Sequence, residues 1–396
     1  MDNGLDLNNT EIAFRTKSTA ELKKSIWLFR MLQHRLIVSF GPKLASVGLR
    51  AKLPIRSLIK KTIFDQFCGG ESTSDSMDRI VSLKSNGVFS ILDYSKEGTG
   101  SEEEFDFVAE ETLANIQHAN DNEHISYCVF KPSGIGAINL YEKVSTNEKL
   151  SEEEEKAFQK VKSRYQRIAQ AASDKKVRVL IDAEESWIQP AVDKIVEQLM
   201  KQYNHSECIV YQTVQLYRKD RLQYLRGLIG KARNQSWFLG VKLVRGAYLE
   251  KERERAQIQG YESPICETKE QTDKNFDEAI VSCVENIDVV RLCSGTHNQK
   301  SVQLLVDLMM EKGLSVKDSR IDFAQLLGMS DNLSFNLSHA GFLVSKYVPY
   351  GPIEDMIPYL GRRAEENSSV KGQTTRELEL LTQELERRKG HINAIH

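Results

Sequence analysis

Between residues 19 and about 61 the apolar positions fall at three- and four-residue steps, with Leu22, Ile26, Phe29 and Leu32 in register, which predicts amphipathic helix. Pro42 and Pro54 punctuate that pattern. The stretch reads as a separate helical arm, residues 1–75. After Asp75 the rhythm changes, and short apolar runs rich in β-branched residues alternate with long amphipathic stretches. Eight runs stand out, at 88–94, 125–131, 177–183, 208–215, 238–245, 288–294, 321–327 and 341–347. Each is short and mostly apolar, as expected of strands covered on both faces. Helix starts are visible between them, most clearly at Ser151-x-x-Glu154, a capping box ahead of Phe158, Val161, Tyr165 and Ile168. Asp331 is a second N-cap candidate.

Eight strand–helix repeats predict an α/β fold, a closed (βα)8 TIM barrel over residues 76–372, because an open doubly wound sheet usually carries fewer strands. A C-terminal helix and tail follow over 373–396, with Leu378, Leu381 and Leu385 on one side, suited to docking on the barrel exterior. Such a barrel keeps its chemistry at the C-terminal strand ends, and polar residues gather there: Asp93, Lys131, Asp182, Gln215, Lys242 with Arg245, Ser294 leading to His297, Gln325 and Tyr347.

Charged residues make up 28% and hydrophobic ones 40% of the 396, an ordinary globular balance that excludes collagenous and wholly disordered chains. Lys and Arg number 54 against 56 Asp and Glu, so the formal charge of −2 offers no field for a polyanion and disfavours nucleic acid as a partner. The six cysteines stand singly with no CxxC pair and read as buried thiols in a reducing compartment. No basic, then apolar, leader opens the chain and no run of 18 apolar residues occurs, so a cytoplasmic protein without a membrane span is expected. Ile26-Trp27-Leu28-Phe29 and Leu36-Ile37-Val38, beside Arg30, His34 and Arg35, leave peripheral association with the inner face of a membrane as a minority reading against core packing.

The densest chemical signal follows the last run. Pro352 suits the first turn of a helix that sets Tyr359 three and four residues before Arg362 and Arg363, on one face. Guanidinium forks match a carboxylate, and Tyr covers an aliphatic ring while its hydroxyl stays wet. The plainer reading is a solvated run paired to Glu365 and Glu366. Lys131 and Asp182, at neighbouring strand ends, form either a structural ion pair or the polar side of a small pocket. Lys131 or Lys242 as a Schiff-base lysine gives a barrel aldolase as the competing enzyme class. A membrane-associated scaffold using the two terminal helical segments is the non-enzymatic alternative.

Read in order, Phe130-Lys131-Pro-Ser-Gly134, Ile181-Asp182-Ala-Glu-Glu185, Thr213-Val-Gln215-x-Tyr217, Lys242-Leu-Val-Arg-Gly-Ala-Tyr248, Gly295-Thr-His-Asn298, Gln325-Leu-Leu-Gly-Met329 and Tyr359-Leu-x-Arg-Arg-x-x-Glu-Asn367 resemble the proline dehydrogenase family, and its monofunctional, mitochondrial-like branch above all. The resemblance runs over roughly residues 67 to 370. It implies a distorted (βα)8 barrel that binds FAD and oxidises L-proline to Δ1-pyrroline-5-carboxylate by hydride transfer to flavin N5, with electrons passed to a quinone. It implies that Arg362, Arg363 and Lys131 are the catalytic set, with both arginines on the proline carboxylate. Asp182, Ala247, Tyr248, Leu326, Tyr347 and Tyr359 complete the substrate pocket. Gln215, Lys242, Arg245, Gly246, Thr296 and His297 contact the flavin, with Lys242 where bifunctional members carry Arg. Glu71, in Phe67-Cys-Gly-Gly-Glu71, matches the family's acidic gate partner for a substrate arginine. No metal is implied.

Overall fold

In the computed structural model, which describes residues 5–51, 53–96, 100–369 and 373–395, eight strands follow one another in chain order around a closed barrel. They are β1 (Val88–Tyr94), β2 (Ile125–Phe130), β3 (Arg178–Ile181), β4 (Val210–Gln215), β5 (Leu239–Val244), β6 (Val290–Gly295), β7 (Ile321–Leu326) and β8 (Val344–Tyr350). The neighbouring pairs from β2 to β7 are parallel. The expected barrel is therefore present, and each of the eight apolar runs overlaps a strand.

Three local expectations need correction. The eighth strand begins at Val344, because the residues before it finish a helix: Gly341 takes φ 92° and Phe342 N donates to Leu337 O at 3.0 Å. Tyr347 therefore sits mid-strand instead of at its end. Asp331 is the first residue of helix Asp331–His339, and the cap position belongs to Ser330, held in the left-handed region at φ 50°. Pro42 does not break the N-terminal pattern but lies inside helix Arg35–Arg50. Its ring packs where Gly361 has no side chain, since a Cβ there would lie 3.2 Å from Pro42 Cγ.

Capping boxes form at Ser151 and Glu154, as the sequence predicts, and also at Ser18, Ser101 and Thr268. Alternation along the strands puts residues two apart on one face. Tyr127, Arg178, Tyr211 and Gly240 are linked by register, Tyr127 opposite Arg178 and Tyr211 opposite Gly240. Their packing plugs the early part of the strands. The rings of Tyr127 and Tyr211 meet edge to face at 5.4 Å, and the Arg178 guanidinium lies 5.4 Å from the Tyr127 ring centre. Gly240 makes room for this plug, because a Cβ on it would stand 2.4 Å from Val210 O and 2.8 Å from Tyr211 Cγ.

By compactness the chain divides into two units: residues 1–90, 297–299 and 325–396 form one, and 91–296 and 300–324 the other. In the first unit the N-terminal helices do not stand apart as a separate arm. Leu22, Ile26, Phe29, Leu32 and Val38 share a core with Ile353, Met356, Tyr359, Leu360, Leu380 and Leu381. Helix Gln373–Ile395 accordingly packs on helix Thr19–Leu32, where docking on the barrel exterior was expected. The expected boundary at 372 lies outside the described residues. All six cysteines are buried and none is in a disulfide.

Candidate active site

In the second unit, past the aromatic plug, four charged side chains are buried or nearly so. Lys131 Nζ lies 3.2 and 3.3 Å from the two oxygens of Asp93, with both side chains buried. Lys242 Nζ lies 2.5 Å from Asp182 Oδ1. Asp93, noted in the sequence only as a strand-end residue, is thus a partner of Lys131 that sequence reasoning missed. Burial pushes its carboxyl above the usual range; Lys131 opposes that shift and the nearby Asp182 charge adds to it. Each lysine Nζ is thus held against a carboxylate oxygen. A Schiff-base aldolase requires an amine open to a carbonyl substrate, whereas both of these lysines are engaged with carboxylates.

The loops beyond these strands are clipped to one another by carboxylates. Glu184, in the Asp-Ala-Glu-Glu run, accepts from Ser133 N at 2.7 Å and from Ser133 Oγ at 2.6 Å. Gln215 Nε2 donates to Glu184 O at 2.6 Å. Glu252, buried on helix Leu249–Gln259, accepts from Ser186 N at 2.5 Å and from Ser186 Oγ at 2.6 Å, and Glu185 pairs with Lys251. The acidic run is therefore a fastening device that holds the strand-end loops, and Asp182 is the member aimed at the charged set.

Further round the same unit, Arg245 donates to Asp273 Oδ1 at 2.6 Å, to Thr296 Oγ1 at 2.7 Å and to Ser301 Oγ at 2.9 Å, so the chain fixes the direction of its guanidinium. Gly246 follows at φ 134°, and a Cβ on it would come within 2.4 Å of the Tyr217 ring. Ala247 is exposed and Tyr248 half-buried in the loop that leads into helix Leu249–Gln259. The Thr213 hydroxyl, opposite Lys242 in the strand register, is buried and has no hydrogen-bond partner among the described residues. A flavin dinucleotide needs donors, positive charge and bare backbone. Gln215, Lys242, Arg245, Gly246 and the orphaned Thr213 hydroxyl fit such a group.

In the first unit, helix Ile353–Ser369 carries Tyr359 and Arg363, both buried, with the Arg363 guanidinium 5.2 Å from the Tyr359 ring centre. Arg362 is half-buried. Part of the plainer reading also holds, since Arg363 Nη2 pairs with Glu366 at 2.8 Å. Pro352 precedes the helix instead of entering its first turn, and its carbonyl accepts from Asp355 N and Met356 N. The side chain of Asn367 lies outside the described residues. Leu326 closes β7, and its carbonyl accepts from the fully buried Lys346 at 3.2 Å. His297 Nδ1 lies 3.0 Å from Ser330 Oγ.

Glu71 is placed by the segment before it. Gly69 N donates to Pro349 O at 2.8 Å and Gly70 bridges to Tyr350, so the loop is sewn to the end of β8. Its carboxylate pairs with Arg56 and, at 2.7 Å, with Lys60. The expected partner was a substrate arginine. The two cations on the adjoining helical turns reach it first.

A family model described as proline dehydrogenase matches residues 76–376. The chain is 33% identical over 322 residues to the carbapenem antibiotics biosynthesis protein CarD of Pectobacterium carotovorum subsp. carotovorum, covering 81% of this chain and 83% of that protein. It is 30% identical over 431 residues to proline dehydrogenase 2, mitochondrial, of Arabidopsis thaliana, covering 97% and 90%. With proline dehydrogenase 1, mitochondrial, of Homo sapiens it shares 38% over 251 residues, which spans 63% of this chain and 42% of the human protein. Among solved structures, the proline utilization A protein of Bdellovibrio bacteriovorus inactivated by N-propargylglycine matches with a TM-score of 0.74 at 18% identity, over 93% of this chain and 42% of that one. That last likeness is one of fold.

Proposed function

Since this chain is an enzyme of the proline dehydrogenase family, we propose that it oxidises L-proline to Δ1-pyrroline-5-carboxylate with FAD, the first step of proline catabolism to glutamate, and passes the electrons to a quinone. The match over residues 76–376 is the observation that carries this reading. FAD, when bound, would supply the electron sink for the hydride that leaves the carbon beside the proline nitrogen. Gln215, Lys242, Arg245, Gly246, Thr296 and His297 would hold it.

The side chains then have binding and orienting work. Asp93, Lys131, Asp182 and Lys242 pair to a formal charge of zero, with Asp93 beside Lys131 where the sequence offered Asp182. The proline carboxylate therefore depends on Arg362 and Arg363, whose planar forks donate to it bidentately. Two guanidinium groups near the substrate also disfavour a positive ring nitrogen, which promotes the proton loss that must precede oxidation. The other residues we assign to the substrate are Tyr359, Leu326 and Tyr347 in the first unit, and Tyr248, Ala247, Lys131 and Asp182 in the second. Fixing the substrate in this way is worth up to about 7–11 kcal/mol of barrier in favourable cases. A gating role for Glu71 requires it to leave Arg56 and Lys60 for a substrate arginine.

Quinone use brings the enzyme peripherally to a membrane on this reading, and no helix among the described residues is long and apolar enough to cross one. The test is steady-state turnover of L-proline with a quinone, following the cyclic imine. Turnover is expected from the purified chain. Borohydride trapping of a carbonyl substrate on Lys131 or Lys242, without proline turnover, would favour the aldolase instead.

A further inference from the structure

We propose that helix Arg35–Arg50 is the surface on which this enzyme seats itself against an anionic lipid bilayer, an inference that rests on the peripheral association just proposed and names the face that makes it. The helix is apolar on two sides. Val38 is buried and Leu49 packs on the same core, which accounts for the inward side. Ile37, Phe40, Leu44 and Val47 point the other way and are 42%, 56%, 68% and 64% exposed. At about 100° per residue these four fall within an arc of about 80°, a continuous stripe along the helix. Trp27 on the preceding helix and Leu53 and Leu58 beyond are also exposed.

Charge identifies what covers the stripe. From residue 19 to 63 the sequence holds ten Lys and Arg against a single acid, Glu21, within a chain whose formal charge is −2. On the same helix, Lys43 and Arg50 lie within about 60° of the stripe's edge. Arg30, Lys43, Arg50 and Lys61 are exposed and make no ion pair among the described residues. Exposed aromatic and aliphatic side chains flanked by unpaired cations suit a lipid headgroup boundary, where the apolar face enters the acyl region and the cations meet lipid phosphates. A protein partner of ordinary composition gives no reason for so one-signed a border. The side chains of Arg35, Leu36 and Ser39 lie outside the described residues and are not needed.

Position gives the surface a use. The inward side of this helix packs on helix Ile353–Ser369, with Pro42 against Gly361, immediately beside Arg362 and Arg363. A bilayer on the outer stripe is thus one helix away from the proposed substrate arginines, in reach of a quinone dissolved in lipid.

Vesicle flotation tests this with the full chain. Wild-type protein should float with phosphatidylcholine–phosphatidylglycerol vesicles, far less with phosphatidylcholine alone, and release at high salt. Phe40→Asp with Leu44→Asp should lower partitioning at least tenfold and cut turnover with vesicle-embedded quinone, while proline oxidation with a soluble dye stays at the wild-type rate. Val81→Asp, at an exposed apolar site on another helix, should change neither. If wild type floats and the double variant floats equally, this face is wrong and peripheral association stands. If wild type does not float, both fall. If the double variant instead dissociates a dimer seen by light scattering, with vesicle binding unchanged, the stripe is a protein interface and the proposal is overturned.

Discussion

At the scale of single residues the buried charges decide most. Asp93 and Lys131 are each almost fully buried and face one another, so removing one takes away a charge that the other is held against. Asp93→Ala should cost about 3–5 kcal/mol in urea unfolding, and the double change Asp93→Leu with Lys131→Met should recover most of that loss while abolishing activity. A double variant as unstable as the single one would mean that the pair is not what holds the region. Glu377 carries a pH dependence. It is buried beside Asp331, Lys346 and Lys17 and accepts from Ser330 N, and burial, with the Asp331 charge, lifts its carboxyl from 4.5 to about 7. Below pH about 4.5 the carboxyl is protonated in folded and unfolded chains alike and costs nothing. Between about 4.5 and about 7 the unfolded chain releases its proton first, so stability falls as pH rises, and above about 7 the loss is complete. Glu377→Gln should remove this slope, gaining about 3 kcal/mol on wild type between those limits. Arg363→Ala should lower kcat/KM for proline about a hundredfold, the value of a charge-assisted contact to a carboxylate of about 3 kcal/mol. The clustering of Lys131, Asp182 and Lys242 was legible because polar residues ending apolar runs point to a barrel mouth. Their pairing was not, since which strand ends meet is fixed by register, and register leaves no mark in one strand's sequence.

At the scale of elements, local signals were read well where they are self-contained. The Ser151 capping box is complete within four residues, and Ser151→Ala should cost about 1 kcal/mol in thermal or urea unfolding. Pro42 misled because its tolerance depends on Gly361, more than three hundred residues away. The late start of β8 was hidden for a related reason: Gly341 to Leu343 look apolar enough for a strand, yet the preceding helix needs them to terminate. Gly240 was equally silent. Read alone it weakens a strand; read against Tyr211 it is the gap into which an aromatic ring fits. Gly240→Val should therefore destabilise by at least about 1–3 kcal/mol, despite the better strand propensity of Val. Unchanged stability would show that the plug relaxes freely.

At the scale of the whole molecule, eight repeats and one end of polar residues were enough to indicate a closed barrel, because few other arrangements cover so many short apolar strands. The sharing of one core by residues near both chain ends was out of reach, since helix Thr19–Leu32 and helix Gln373–Ile395 each read only as amphipathic. Assignment of substrate and cofactor came from the ordered motifs and not from the fold, which serves many chemistries. The claim at the centre is that this barrel presents proline to a flavin. Anaerobic titration of the purified chain with L-proline, followed by absorbance, addresses both partners at once. The account predicts a yellow protein whose flavin band bleaches in proportion to proline added and returns with quinone. A colourless protein, or a yellow one whose spectrum proline leaves unchanged, would contradict it.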